Sequence, residues 1–317
     1  MSQTASVDVC LQVFGKPYQT ALTLLSLHKY IGERINKIYY IVEPARPKFD
    51  TVSVHILKDL IPNMEIFFPE IWIGLDNTDL TRLHEKSYRH SLRYQYGIEN
   101  SKSDFLLIIH NDIFFKKDIV TYFLNEINEY FAIGHIGQCW NCPASQYDVV
   151  RRIGVNKCIP CNHSNYAEFV CNFTQLQKIY NEAKKRGHHL RWNAEDALTA
   201  EYEKRSWPLP ECRVNEWCCM IHLKMVRNHT MPFGKCRPFG AYLPGQDMGV
   251  AWFRDMNHAG FRAKHLDIYS YIDHWGGHSA LFNEEAYRQN EKAAAQKILQ
   301  FFPEYVGTMN SLGLPLV

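Results

Sequence analysis

The sequence contains no apolar run approaching the ~20 residues that a membrane-spanning helix needs. Met1 to Asp8 is polar and lacks the charged-then-apolar pattern of a secretory signal. Net charge is scarce too: 35 Lys and Arg against 33 Asp and Glu leave +2. A chain so nearly balanced has no electrostatic footprint for a polyanion, so nucleic acid is not an expected partner. The expectation is a cytoplasmic protein with no transmembrane segment, any membrane association being peripheral and at the inner face.

Apolar residues are not scarce. Of 317 residues, 46% are hydrophobic and 14% aromatic, enough for one large α/β domain or two small ones, and too many for a disordered chain. Ten cysteines without a secretory signal are expected as buried thiols or metal ligands rather than a disulfide framework.

Strand and helix alternate through the first half. Val7 to Phe14 reads as a buried strand, turned by Gly15-Lys16-Pro17, with Pro17 suited to a helix's first position. Ala21, Leu24, Leu25, His28 and Ile31 follow at helical spacing. Lys37 to Val42 is a second strand, ending at Glu43-Pro44, and Met64 to Phe68 a third, with a helix over Ser53–Leu60 between them. A helix over Leu83–Ile98 leads to the fourth strand in DFLLIIHNDIFF, Asp104 to Phe115. This alternation predicts a mostly parallel sheet flanked by helices, with ligands collecting at the carboxyl ends of its strands. His110-Asn111-Asp112 lies at such an end. A carboxylate there suits a divalent cation set against phosphate oxygens. The alternative is that Asp112 caps a helix over Lys117–Tyr130.

In the second half, Leu243-Pro244-Gly245-Gln246-Asp247 precedes an amphipathic pattern of Met248, Ala251, Trp252, Met256 and Ala259, closed by Gly260. Asp247 is expected in the first turn of that helix, where the dipole favours its ionised form. A strand over Lys264–Ile272 leads to Asp273-His274-Trp275-Gly276-Gly277-His278-Ser279, where His274 or His278 could reach a metal. Cys139-x-x-Cys142 and Cys158-x-x-Cys161, with fifteen residues between them, have the spacing of a four-cysteine structural zinc site, with plain packing as the alternative. Cys218 and Cys219 are expected to pack. Glu195-Asp196 read as first-turn helix acids, Lys184 to His189 as a solvated helix end, and Asn283 to Phe302 as a capped terminal helix stopped by Pro303.

HND after a buried strand, PGQD opening a helix that ends in AGF, and then HWGGHS together resemble an inverting glycosyltransferase of the GT-A fold, closest to family 2, over residues 7–290. That family carries an Asp-x-Asp type motif where this chain has His110-Asn111-Asp112, and a Gly-Glu-Asp type motif where it has Gly245-Gln246-Asp247. The resemblance implies a GT-A-like, Rossmann-like sheet with a Cys-rich insertion in the second half. It implies transfer of a sugar from a nucleotide-sugar, UDP-linked by family habit, to a hydroxyl of a glycan or glycolipid, with inversion. Asp112 would bind Mn²⁺ or Mg²⁺ on the donor diphosphate, His274 would add a ligand, and Asp247 would be the general base. Phe14 and Glu43 would meet the base and ribose, Arg93 the phosphate, and His110 and Asn111 the rest of the donor. Trp217, Gln246, Trp275 and His278 would line the acceptor side. His110 in place of the first aspartate and Gln246 in place of the glutamate depart from the pattern. The expected division is residues 1–137 for the nucleotide-sugar half, 138–215 for the Cys-rich insertion and acceptor region, 216–282 for the acceptor and catalytic half, and 283–317 for a C-terminal helix and tail. Two other functions stay open. A nucleotidyltransferase of related fold would need a Gly-rich basic loop after the first strand, which Phe14-Gly15-Lys16-Pro17 supplies poorly. A zinc-ribbon nucleic-acid binder using the CxxC pairs would lack electrostatic support.

Overall fold

The chain winds back and forth across one sheet. In a computed structural model, which describes residues 6–50, 52–74, 78–136, 172–187, 212–242, 247–275 and 283–316, strands β1 (Val7–Val13), β2 (Ile35–Val42), β3 (Met64–Phe67) and β4 (Phe105–His110) are parallel neighbours. A short β5 (Ile113–Phe115) leaves the sheet after β4. β6 (Ala132–Ile136) and β7 (Val214–His222) return to it, β7 running antiparallel to both β4 and β6, and β8 (Ala263–His265) pairs parallel with β6. The seven-stranded order is β3-β2-β1-β4-β7-β6-β8, so the sheet is mostly parallel, as expected. β9 (Ile272–His274) pairs antiparallel with β5 in a separate two-stranded ribbon.

Helices cover both faces, which is why the central strands are apolar on every side. Val7, Val9, Leu11 and Val13 of β1, with Leu107 and Ile109 of β4, face a core shared with α1 (Pro17–Ile31), part of α4 (Ile119–Glu126) and the helix Glu284–Phe301. Cys10, Leu106 and Ile108 face the other core, against α3 (Gln95–Asn100) and the helix Val250–His258. Among the described residues, no helix is long and apolar enough to cross a membrane.

Several expected elements differ in extent. The helix expected over Leu83–Ile98 is broken into α2 (Lys86–Ser91) and α3, with Leu92 extended and Tyr94 at φ +63°. The break turns Arg93 toward Glu43, and Gly240 packs so closely against the Arg93 backbone that a Cβ there would collide with it. Hydrophobic spacing continues through this kink, so periodicity misses it. The helix expected over 53–60 is a 3₁₀ turn, Val54–Asp59. α4 is capped by Asp118, whose carboxylate accepts from Thr121 N at 2.9 Å, so Asp112 is not its cap. The strand expected over 264–272 is two short ones, β8 and β9, with a turn between them. Asp247 lies three residues before its helix rather than in the first turn, because Gly249 at φ +82° serves as N-cap. Gly260, at φ +95°, closes that helix as expected: Phe261 N donates to Met256 O at 3.1 Å. Asn283 caps the helix Glu284–Phe301 through Ala286 N, but that helix is not terminal: a short helix, Val306–Ser311, follows it. Cys218 and Cys219 are buried thiols, like Cys10. Cys139, Cys142, Cys158, Cys161, Glu195, Asp196, Gln246, Gly276, Gly277 and His278 lie outside the described residues.

Candidate metal and donor site

The chain passes from β1 to β2 and β3 on one side, then returns to place β4 on the other. The carboxyl ends of β1 and β4 therefore flank the crevice where such a sheet binds ligands. Lys16 follows β1 and Asp112 follows β4, and the two meet there: Lys16 Nζ lies 2.7 Å from Asp112 Oδ2, both side chains almost wholly buried. β9 brings the third element. Its pairing with β5 sets His274 opposite Ile113, and Trp275 N donates to Asp112 O at 3.1 Å. His274 Nε2 then lies 3.2 Å from Asp112 Oδ1, and His110 Nδ1 lies 3.8 Å from the same oxygen.

Each residue of His110-Asn111-Asp112 has its own direction. Asn111 turns inward, donating from Nδ2 to Gly15 O at 2.8 Å and to Thr20 Oγ1 at 2.9 Å. It therefore pins the turn that presents Lys16. That turn is tight, with Gly15 and Lys16 both left-handed at φ +61° and +59°, and Asp50 fills the space where a Gly15 Cβ would sit.

The electrostatics follow from this packing. Burial alone would raise the Asp112 pKa, but Lys16 and His274 outweigh it and hold the carboxyl well below its usual range. Burial pushes His110 below the ordinary histidine value, against the pull of Asp112, so its ring is neutral and its lone pair available at neutral pH. Among the described residues, Asp112 Oδ1 and His274 Nε2 are buried without a hydrogen-bond partner, each facing the other at 3.2 Å. Each such atom costs about 1–3 kcal/mol if left unsatisfied. Ligand atoms of His110, Asp112 and His274 lie within 4.8 Å of one another. Two orphaned atoms facing each other beside a neutral imidazole fit a shared divalent cation. A carboxylate with two nitrogens suits Mn²⁺ better than Mg²⁺, which prefers oxygen.

Beside this cluster the Trp217 ring stacks on His274, 4.8 Å between centroids and 3° from parallel. Tyr269, half exposed, tilts against Trp217 at 6.0 Å, with His135 beside both rings. Trp275 faces away, joining the core of the C-terminal helix with Lys297 Nζ 5.4 Å from its ring. At the other end of the crevice Arg93 Nε lies 3.0 Å from Glu43 Oε1, and Trp72 Nε1 donates to Glu43 Oε2 at 3.3 Å. Glu43 N donates to Val13 O, so this pair sits next to half-buried Phe14. Arg93 is close enough to contribute to lowering the His110 pKa.

Asp247 is buried. Its Oδ2 accepts from Arg213 Nη2 at 3.0 Å and its Oδ1 from Met248 N at 3.0 Å. Arg213 Nη1 is also 2.7 Å from Glu216 Oε2, immediately before Trp217 on β7. Asp247 is thereby tied to the strand that carries the Trp217–His274 stack. Sequence reasoning missed Lys16, Arg213 and Glu216 as members of the site. Lys16 carried one signal, its place between Gly15 and Pro17 just after the first strand. Arg213 carried none, since Asp247 is 34 positions away in the chain, and Glu216 joins the site only through Arg213.

No protein-family description matches the chain, and no curated protein does. Solved structures that it resembles are glycosyltransferases. A mannosyltransferase from Pyrobaculum calidifontis, in complex with GDP-Man and Mn²⁺, is 8% identical over 99% of this chain and 81% of that one, with a TM-score of 0.44. Glucosyl-3-phosphoglycerate synthase from Mycobacterium tuberculosis is 7% identical over 92% and 80%, with a TM-score of 0.43. The galactosyltransferase LgtC, in complex with donor and acceptor sugar analogues, is 9% identical over 90% and 95%, with a TM-score of 0.41. At TM-scores below 0.5 these likenesses carry no argument about what this chain does, which rests on its own residues.

Proposed function

We propose that the protein is a glycosyltransferase that moves a sugar from a nucleotide-sugar, UDP-linked in the first instance, to a hydroxyl of a glycan or glycolipid. The observation that carries this reading is the pair of orphaned buried atoms, Asp112 Oδ1 and His274 Nε2, facing each other at the carboxyl end of β4. A nucleoside diphosphate leaves only if its developing charge is neutralised, and a bound divalent cation supplies that neutralisation. Asp112, His110 and His274 would hold it. Glu43 and Arg93, at the ends of β2 and of the α2–α3 kink, would meet the nucleoside and its phosphates once their mutual ion pair opens.

Asp247 takes the acceptor proton in this reading. A sugar hydroxyl is a weak nucleophile, and a positioned carboxylate acts as its base. Arg213 holds that carboxylate in one orientation. A single base implies one in-line displacement and an inverted anomeric centre. Half-exposed Tyr269, tilted against buried Trp217, offers a ring face on which the apolar side of an acceptor sugar can rest. Residues 1–137 would then serve the donor and 216–282 the acceptor and the chemistry, as the sequence division has it.

The test is a panel of nucleotide-sugars offered with Mn²⁺, scored for donor hydrolysis and then for transfer, with the new linkage read by NMR. Absence of hydrolysis or binding across the whole panel would sink the reading, and retained configuration would sink the single-base mechanism. Lys16 favours one other reading. A lysine on the turn after β1 that reaches the cation cluster is the group a nucleotidyltransferase would use, and that enzyme would release pyrophosphate from a nucleoside triphosphate and a sugar phosphate.

A further inference from the structure

Asp112 divides its two oxygens. Oδ2 is held by Lys16 at 2.7 Å, whereas Oδ1 points to His274 and His110 and has no hydrogen bond among the described residues. Lys16 is anchored well away from its charge: its carbonyl accepts from Thr20 N at 2.7 Å, its N–H donates to Asp50 Oδ1 at 3.4 Å, and Pro17 follows it. The ammonium is therefore delivered by a fixed turn, not by a wandering surface side chain.

Charge accounting gives this arrangement a consequence. Lys16 and Asp112 carry opposite charges, so the pair contributes no net charge to the cluster. A dication held by Asp112, His110 and His274 would add about +2 to that pair while Lys16 keeps its contact with Oδ2. That matches the two ionised phosphates of a nucleoside diphosphate ester. Without Lys16 the same cation on the same carboxylate would leave about +1 only, and Oδ2 would be free to join Oδ1 on the ion.

We infer that Lys16 is the second cation of a diphosphate-binding site: it restricts Asp112 to one oxygen toward the divalent ion, weakens that ion's binding by like charge, and supplies the extra positive charge that the diphosphate needs. The inference rests on the donor-binding reading above. It makes Lys16 oppose the cation and assist the anion, which no purely structural ion pair would do.

Calorimetric titration of the full chain with MnCl₂ alone, and then with pyrophosphate or UDP at saturating Mn²⁺, separates these effects. Lys16→Met should bind Mn²⁺ about threefold or more tightly than the parent, because a like charge a few ångströms away is gone. Pyrophosphate and UDP should bind about tenfold or more weakly. Lys16→Gln keeps a donor for Oδ2 without the charge, and should show the same opposite pair of changes if the methionine variant fails to fold. Weakening of both ligands, the signature of a structural ion pair, overturns the inference, as does no change in either. Parent protein that binds pyrophosphate but not UDP would refute the nucleotide reading and leave the role of Lys16 standing.

Discussion

Arg213 Nη2 donates to Asp247 Oδ2 at 3.0 Å, and the same guanidinium stands 2.7 Å from Glu216, so one buried cation carries two carboxylates. Asp247→Asn keeps the size of the side chain and one carbonyl oxygen for Arg213 while removing its basicity. Transfer should fall about 10²–10⁴-fold, the range for a lost general base, while Mn²⁺-dependent nucleotide binding is retained. Steady-state kinetics paired with calorimetry read the two together, and near-parental turnover would move the base elsewhere.

Asp112 is the only carboxylate of the cation cluster among the described residues. Asp112→Ala should therefore abolish cation-dependent nucleotide affinity. It also leaves Lys16 as an unpaired buried charge, so some loss of thermal stability should accompany it. Unchanged Mn²⁺-dependent affinity in a folded variant would remove the cation from this place.

Asn111 separates a positioning role from a contact role. Its amide holds Gly15 O and Thr20 Oγ1, both buried. Asn111→Ala should cost about 1–3 kcal/mol of stability, the range for leaving such groups unsatisfied. Chemical denaturation measures it. A loss of donor affinity without any loss of stability would mean that the side chain meets the ligand directly.

Stability should depend on pH through Glu291, which braces the start of α1 just after Lys16. This glutamate sits on the helix Glu284–Phe301 and accepts from Tyr18 N and Gln19 N at the start of α1, at 2.9 and 3.1 Å. Burial raises its pKa to about 7, the Tyr18 and Gln19 hydrogen bonds only partly opposing the shift. The folded-state pKa lies above the unfolded one, so folding gains from the protonated form below about pH 4.5 and loses that gain as pH rises through about 7. Burial also raises Asp50 to about 6, which acts in the same direction. Melting temperature should fall between pH 5 and pH 7.5, and Glu291→Gln should flatten the slope. An equally steep profile in that variant would assign the effect to other groups.

Much of the sheet was legible from residue order. β1, the second half of β2 and β4 are mainly apolar and buried, with turn or polar residues after each, which marks them as strands. The antiparallel direction of β7 was not legible, because direction is set by where the chain re-enters the sheet. The break at Leu92–Tyr94 was invisible, since the apolar spacing runs through it while the partner that Arg93 meets there, Glu43, is 50 positions away.

By itself, the sequence determined that a carboxylate ends a buried strand at residue 112, that a histidine stands at 274, and that the turn after β1 carries a lysine; local hydrophobic pattern and turn chemistry suffice for each. Only the tertiary structure decided that these three groups meet, because their meeting depends on β1 and β4 being neighbours and on β5 pairing with β9 across more than 150 positions of chain. It also decided how Asp112 spends its oxygens, one on Lys16 and one facing two imidazoles. Local sequence carries propensity, whereas the charge balance of a buried site is set by which distant side chains exclude water from one another.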